Sequence, residues 1–242
     1  MIDKKEKILA NYNIVQERIH KAAVSVGRDP AQVKLVVVTK GHTVEVIQTL
    51  IENGVTHIGE NRVEEALPKM KALADQTSVQ WHMIGHVQSR KAQQVCEHFN
   101  FFHAMDRLKL VYRLDRFSQE INRVLPVLLQ FNVSGEETKS GWSAYDESGW
   151  ESFLPDIAQV LELSHVDVQG LMTMAPYNQA PEDSRPVFAR LARLRDFLAC
   201  KFPSAKWDQL SMGMSGDFEV GIQEGATLVR IGTAILGERI YR

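Results

Sequence analysis

The chain has 242 residues, 44% of them hydrophobic, and a formal net charge of −2. A chain of this length buries roughly 70–75% of its unfolded surface, so it needs no staples to build a core. The near-neutral balance argues against nucleic acid as the main partner, since phosphate-backbone binding wants a clear basic excess. No apolar run approaches the roughly 18 residues needed to span a bilayer. The charged start Met1-Ile2-Asp3-Lys4-Lys5-Glu6 leads into a helix rather than a signal-peptide core. Cys96 and Cys200 belong to no CxxC pair and no recognised metal-ligand motif, so free thiols in a reducing, cytoplasmic compartment are expected.

The first element is a helix over residues 3–26, because Ile8, Tyr12, Val15, Ile19, Ala22 and Val26 recur at spacings of three and four. Gly27 and Asp29-Pro30 stop it. β-rich runs follow near 34–39, 55–59, 80–84, 100–105, 126–133, 166–173, 208–213 and 227–232. Helical stripes lie between them, such as Val44, Ile47, Leu50 and Ile51, then Leu108, Val111, Leu114 and Phe117, and later Phe188, Leu191, Leu194 and Leu198. Runs such as Pro126-Val127-Leu128-Leu129-Gln130-Phe131 suit strands covered on both faces. Strands alternating with helices imply parallel βαβ units. Eight of them predict an α/β fold, a single (β/α)8 TIM barrel with an additional N-terminal helix, and one domain over 1–242. An open doubly wound sheet is the rival, weakened by the absence of GxGxxG after the first strand.

A barrel places its active face at the C-terminal ends of its strands. In order, those ends deliver Lys40; Glu60, Asn61 and Arg62; His82 and His86; His103 and Asp106; Asn132 and Ser134; Thr173 and Met174; Ser215 and Gly216; Arg230 and Gly232. Lys40 closes the apolar run Leu35-Val36-Val37-Val38-Thr39, where desolvation lowers an amine's pKa and frees it to attack carbonyls. Ser215-Gly216-Asp217 opens a short helical pattern, and Gly232-Thr233 follows the eighth strand. Phosphate sites in barrels are frequently built from the loops at those two places. Helix capping by Ser215 or Asp217, and close packing at Gly232, are the structural alternatives. A lysine together with a phosphate cradle points to pyridoxal 5'-phosphate (PLP).

Arg230 sits in a strand between Val229 and Ile231, where a charge is costly unless paired. Facing a pyridine nitrogen it can only donate, which weakens the ring as an electron sink; a salt bridge to Glu60 or Glu238 is the alternative. Asn61 either donates to a ring hydroxyl or caps the helix that follows. His82, His86 and His103 match no ligand motif, so no metal is assigned, and a histidine in a strand is more often a hydrogen-bonded core residue than a catalyst. Residues 134–146 form a long polar loop of the kind that is often functional; its Lys139 is expected to be solvated, with contact to ligand as the sharper possibility.

Taken in order, Leu35-Val36-Val37-Val38-Thr39-Lys40, Ile58-Gly59-Glu60-Asn61-Arg62, Trp81-His82-Met83-Ile84-Gly85-His86-Val87-Gln88, Phe131-Asn132-Val133, Lys139-Ser140-Gly141, Gly170-Leu171-Met172-Thr173-Met174 and the two cradle segments resemble the pyridoxal phosphate homeostasis protein family. The likeness runs from about residue 8 to residue 239. It implies a (β/α)8 barrel like the barrel half of bacterial alanine racemase. It also implies a Schiff base at Lys40, phosphate contacts from Ser215, Gly216, Gly232 and Thr233, and Arg230 near the ring nitrogen. Many relatives carry a second lysine just after the reactive one; here His42 takes that place. The resemblance implies reversible storage of the cofactor, or its delivery to apo PLP-dependent enzymes, without catalysis.

The rival is a PLP-dependent amino-acid racemase, which needs two acid/base groups on opposite faces of the substrate α-carbon. The racemases this chain resembles draw the second from a partner subunit with the help of a further β-domain, for which a chain ending at Arg242 has no room. A third reading is a barrel for another phosphorylated metabolite. No heptad or obvious apolar patch demands a dimer, so a monomer is expected.

Overall fold

The computed structural model describes residues 4–176 and 180–238. Helix α1 (Lys4–Val24) comes first, with Ile8, Val15, Ile19 and Ala22 buried along one stripe; Asp3, the first residue of the predicted helix, lies outside the described residues. The barrel opens with β1 (Lys34–Val38), α2 (Val44–Glu52), β2 (His57–Glu60), α3 (Val63–Ala72) and β3 (Gln80–Met83). It continues with α4 (Ala92–His98), β4 (Phe101–Met105), α5 (Leu108–Glu120) and β5 (Leu125–Asn132). A two-residue strand, β6 (Trp142–Ser143), and α6 (Leu154–Leu161) lead to β7 (Val166–Met172) and α7 (Arg185–Lys201). The chain closes with β8 (Gln209–Ser211), α8 (Phe218–Gln223), β9 (Leu228–Ile231) and α9 (Thr233–Leu236).

Eight of these strands form a closed parallel ring in the order β1-β2-β3-β4-β5-β7-β8-β9, with β9 returning to β1. This is a (β/α)8 barrel, and each predicted strand lies within a few residues of an observed one. A ninth strand departs from the expected pattern. Phe131 and Asn132 of β5 pair with Trp142 and Ser143, so the loop predicted over 134–146 folds back on its own strand. Asn132 organises the turn: its Nδ2 donates to the Glu136 carbonyl at 2.8 Å, and its Oδ1 accepts from the Ser134 and Gly135 N–H groups.

Alternate apolar side chains of β1, β5 and β9 fill the ring and the layer beneath the helices, and Val36, Val37, Leu128, Leu129, Val229 and Ile231 are fully buried. Trp142, Trp150 and Trp207 pack into this core. Cys96 is buried and Cys200 exposed, both as free thiols. Among the described residues no helix is long and apolar enough to cross a membrane.

The ring depends on one glycine in particular. The register between β5 and β7 shifts after Val127, and Gly170 sits at that shift with φ of 151°. A β-carbon there would lie 1.9 Å from the carbonyl oxygen of Gln209 on β8. Gly170→Ala therefore forces β7 away from β8, and it should lower stability by about 2–3 kcal/mol in urea denaturation. A loss below about 0.5 kcal/mol would mean that the two strands are not held at this spacing.

Candidate functional site

The pairing of β1 with β9 sets the geometry of the barrel mouth. Val37 lies opposite Ile231, so the chain leaving β1 at Thr39-Lys40 runs beside the chain leaving β9 at Gly232-Thr233. A cavity of about 650 Å³ opens there. Lys40, Asn61, Ser215, Gly216, Arg230, Gly232 and Thr233, the residues the sequence offers for lysine, ring and phosphate contacts, line it, whereas His82, His103, Asn132, Ser134, Thr173 and Lys139 do not. Val38, Ile84, His86, Gln130, Met174 and Asp217 are among the rest of its wall.

Lys40 is half-buried in the turn after β1. That turn is anchored from below by a buried charge cluster. Lys69 Nζ, on α3, donates to the Thr39 carbonyl at 3.0 Å, to Glu60 Oε1 at 2.8 Å and to Glu65 Oε1 at 2.6 Å. Thr39 Oγ1 donates to the same Glu60 oxygen at 2.6 Å, and the Gly41 N–H donates to Glu65. Residues on both sides of Lys40 are thus tied to one ammonium and two carboxylates by charge-assisted bonds, the stronger kind. Burial pushes the Glu60 carboxyl above the usual carboxylate range, against the bonds from Lys69 and Thr39. Its Oε2 has no hydrogen-bond partner among the described residues. Glu65 and Lys69 stand four apart on α3, the one sign of this cluster that the sequence carries.

In the loop after β8, Gly213 (φ 92°) turns the chain so tightly that a β-carbon would come within 2.8 Å of Phe218 Cα. Asp217 then accepts from the Met214 N–H at 2.6 Å and from Ser184 Oγ at 3.1 Å, which leaves Ser215 and Gly216 at the cavity edge. Ser215 Oγ accepts from the Ala234 N–H at 3.2 Å, joining the loop after β8 to the start of α9. With that contact made through its oxygen, the hydroxyl retains its hydrogen to donate. Gly216 is a glycine without a local reason: a β-carbon there would meet nothing within 4 Å, and its φ is ordinary. A side chain there would enter open space at the edge of the cavity that Gly216 lines.

Arg230 points through the barrel wall with 4% of its surface exposed. Neither Glu60 nor Glu238, the acids its charge suggests, pairs with it. It donates instead to Ser211 Oγ and, at 2.8 Å, to the Thr173 carbonyl. Burial lowers its pKa to about 10, with Asp217 opposing the shift, so the guanidinium stays charged at neutral pH. Both partners are neutral oxygens, and Arg230 lines the cavity.

Below Arg230 the barrel core holds a hydrogen-bonded file. Ser211 Oγ meets His103 Nδ1, His103 Nε2 meets His82 Nδ1, and His82 Nε2 meets His57 Nδ1, each at 2.9 Å. The arginine can only donate, so Ser211 must turn its hydrogen toward His103, and each imidazole then donates to the next. Burial depresses the pKa of His82 to about 3 and that of His103 well below the ordinary value. Both are neutral, hydrogen-bonded core residues.

Asn61 is not a helix cap, since Arg62 takes that position and α3 begins at Val63; its side chain belongs to the cavity wall. Lys139 is not solvated as expected: Nζ donates to the Met174 carbonyl at 3.0 Å and to Ser134 Oγ at 3.2 Å, and it pairs with Glu136. His42 is half-buried in the turn after β1, its N–H donating to the Thr39 carbonyl. His86 stands among the strand-end residues of the sequence with no role attached to it. Its Nδ1 lies 2.7 Å from Asp106 Oδ2, and nothing in the local sequence announces that pairing across 20 positions.

The chain matches the family described as alanine racemase, N-terminal domain, over residues 5–240. A pyridoxal phosphate homeostasis protein of Aquifex aeolicus is 42% identical over 94% of this chain and 96% of its own length, and one of Pseudomonas aeruginosa is 40% identical over 97% and 96%. PipY of Synechococcus elongatus, solved without PLP and with PLP bound, is 33% identical over 92% of this chain and 100% of its own, with TM-scores of 0.81 and 0.77. An alanine racemase of Clostridium difficile superposes with a TM-score of 0.67 at 16% identity, over 95% of this chain and 56% of that one, a likeness of fold.

The histidine file gives the stability a pH dependence of known sign. His82 and His103 stay neutral when folded but bind a proton near pH 6.5 when unfolded. Stability is therefore full above about pH 6.5 and falls as the pH drops from there toward 3, by about 1.4 kcal/mol per unit for each histidine. Urea midpoints should be level from pH 7.5 to about 6.5 and decline from there to pH 5, less steeply in His82→Asn; a flat profile throughout would place charged imidazoles in the core.

Proposed function

This chain belongs to the alanine racemase N-terminal domain family and, within it, to the pyridoxal phosphate homeostasis proteins, and from that premise we propose that it binds PLP reversibly through a Schiff base on Lys40. It stores the cofactor and delivers it to apo PLP-dependent enzymes, as a cytoplasmic monomer whose whole length forms one PLP-binding barrel domain. The observation that carries this reading is the convergence of a lysine amine, a buried guanidinium and two hydroxyl- and glycine-bearing loops on one cavity.

The residues fit the cofactor. When bound, PLP supplies an aldehyde that condenses with an amine, a pyridine ring that accepts electrons, and a dianionic phosphate. Lys40 is a half-buried amine at the edge of the cavity. Ser215 and Thr233 offer hydroxyls, Gly216 leaves room for a group as wide as phosphate, and Gly232 lets the chain pass Val38 at a separation that a β-carbon would narrow to 3.0 Å. Arg230 offers donors alone. A ring nitrogen beside it accepts an N–H and stays unprotonated, which weakens the ring as an electron sink and suits holding over catalysis. Racemisation needs a second proton-transfer group across the substrate. Asn61 on the cavity wall is an amide, and Lys139 is held by Glu136, Ser134 and the Met174 carbonyl, so neither supplies one; His86 also lines the cavity, but a ring left unprotonated beside Arg230 is a poor electron sink for a carbanion. The same donor set would grip another phosphorylated metabolite, but such a ligand gives Lys40 no carbonyl to capture.

Titrated with PLP, the purified protein should gain the visible absorbance of a pyridoxal Schiff base, and Lys40→Ala should not. Gly216→Val should keep the parent's denaturation midpoint, bind PLP about tenfold or more weakly, and bind phosphate-free pyridoxal about as the parent does. Unchanged absorbance in Lys40→Ala would remove that residue from the role, and equal losses for PLP and pyridoxal in Gly216→Val would move the phosphate elsewhere.

A further inference from the structure

The cavity wall supplies a cation, an amine and an anion cradle, but PLP holding by these alone leaves no group that moves protons, although forming and opening a Schiff base requires one. Opening it consumes one water: a bond forms from the water oxygen to the imine carbon, the carbon–nitrogen bond breaks, and both hydrogens of the water end on the lysine nitrogen, leaving the aldehyde. Loading is the reverse, and neither direction needs an oxidant or any other co-reactant. A base must take the water's proton and return it to the departing amine.

We propose that His86 is that proton-exchanging residue, oriented by the buried carboxylate of Asp106. His86 lines the cavity that Lys40 lines. Its side chain is half exposed, whereas that of Asp106 is 3% exposed. Asp106 accepts from Arg107 NH1 on Oδ1, and Arg107 is itself fixed by a 2.8 Å bond to the Val87 carbonyl. Paired in this way the carboxylate is an acceptor at both oxygens, so His86 Nδ1 must donate to Oδ2. In the neutral imidazole the tautomer is therefore set, with the hydrogen on Nδ1 and the lone pair on Nε2. A triad base is arranged the same way, with a buried carboxylate selecting the tautomer and the far nitrogen left to work. The charged groups around it are Asp106 and Arg107 at the end of β4 and, across the cavity, Lys40, Asp217 and Arg230.

Reach is consistent with the role. β1 and β3 are separated by β2 alone, about 9.5 Å at the usual strand spacing, and Lys40 and His86 line the same cavity. Across such a gap a proton passes through a bridging water rather than directly. The backbone of the His86 turn is seated firmly: a β-carbon at Gly85 would fall 2.3 Å from the Asn61 carbonyl oxygen, so the loop after β3 is pressed against the loop after β2 with no freedom to swing away.

This inference rests on the proposed PLP reading, and its test keeps the two apart. A proton-transfer catalyst speeds loading and release together and leaves their ratio alone. Stopped-flow loading with PLP and release on dilution should both slow about tenfold or more in His86→Ala, with Kd within about twofold of the parent. Added imidazole should restore part of the rate. In Asp106→Asn the amide oxygen takes Arg107 and the amide N–H faces Nδ1, which forces the other tautomer; both rates should fall there too, without rescue by imidazole comparable to that of His86→Ala. Rates in His86→Ala within twofold of the parent, or a slowed loading with unchanged release, would overturn the role of His86 alone. A parent that gains no visible absorbance would overturn the PLP reading and this inference with it.

Discussion

The site exists because the first strand of the ring pairs with the last. Lys34, Leu35, Val36 and Val37 lie opposite Leu228, Val229, Arg230 and Ile231, and this parallel ladder brings residues some 190 positions apart to one rim. Without it, Lys40 and the cradle after β9 would stand at opposite edges of an open sheet. Because every strand of a parallel barrel points the same way, everything that follows a strand arrives at the same face. Buried apolar side chains hold the ring closed, and the rim is left to carry polar chemistry.

That chemistry requires buried charge, and the structure satisfies nearly all of it. Arg230 would be prohibitive in an apolar wall, yet it meets Ser211 and the Thr173 carbonyl, and the histidines beneath it form a directed file of donors and acceptors. Lys69 is likewise surrounded by three oxygens from Thr39, Glu60 and Glu65. The first set of partners holds Arg230 of the cavity wall in place, and the second holds the turn that bears Lys40. One exception at the site is Glu60 Oε2, a buried carboxylate oxygen without a hydrogen-bond partner among the described residues, behind the turn that bears Lys40.

Much of this is legible in the chain. Alternation of β-rich runs with 3.6-residue stripes locates all eight barrel strands, because their apolar periodicity reports burial directly. The strand-end rule then picks out Lys40, Asn61, Ser215, Gly216, Arg230, Gly232 and Thr233, since a closed parallel ring leaves those residues no other place to be. Pairings are another matter. Charge suggests charge, which directs the search for a partner of Arg230 to Glu60 and Glu238, whereas a hydroxyl and a carbonyl suffice. Lys139 reads as a surface lysine until the register of β6 on β5 folds its loop over Met174. The bond between His86 and Asp106 depends on two loops meeting across adjacent strands, and no spacing along the chain encodes that.

The proposed function stands on one nitrogen carrying the cofactor while two distant loops hold its phosphate. Borohydride reduction of the PLP-loaded protein, followed by proteolysis and peptide mass mapping, tests that most directly. The predicted result is a single phosphopyridoxyl group, on the peptide containing Lys40 and on that residue. Label on Lys139, or spread over several surface lysines with Lys40 unmodified, would contradict it.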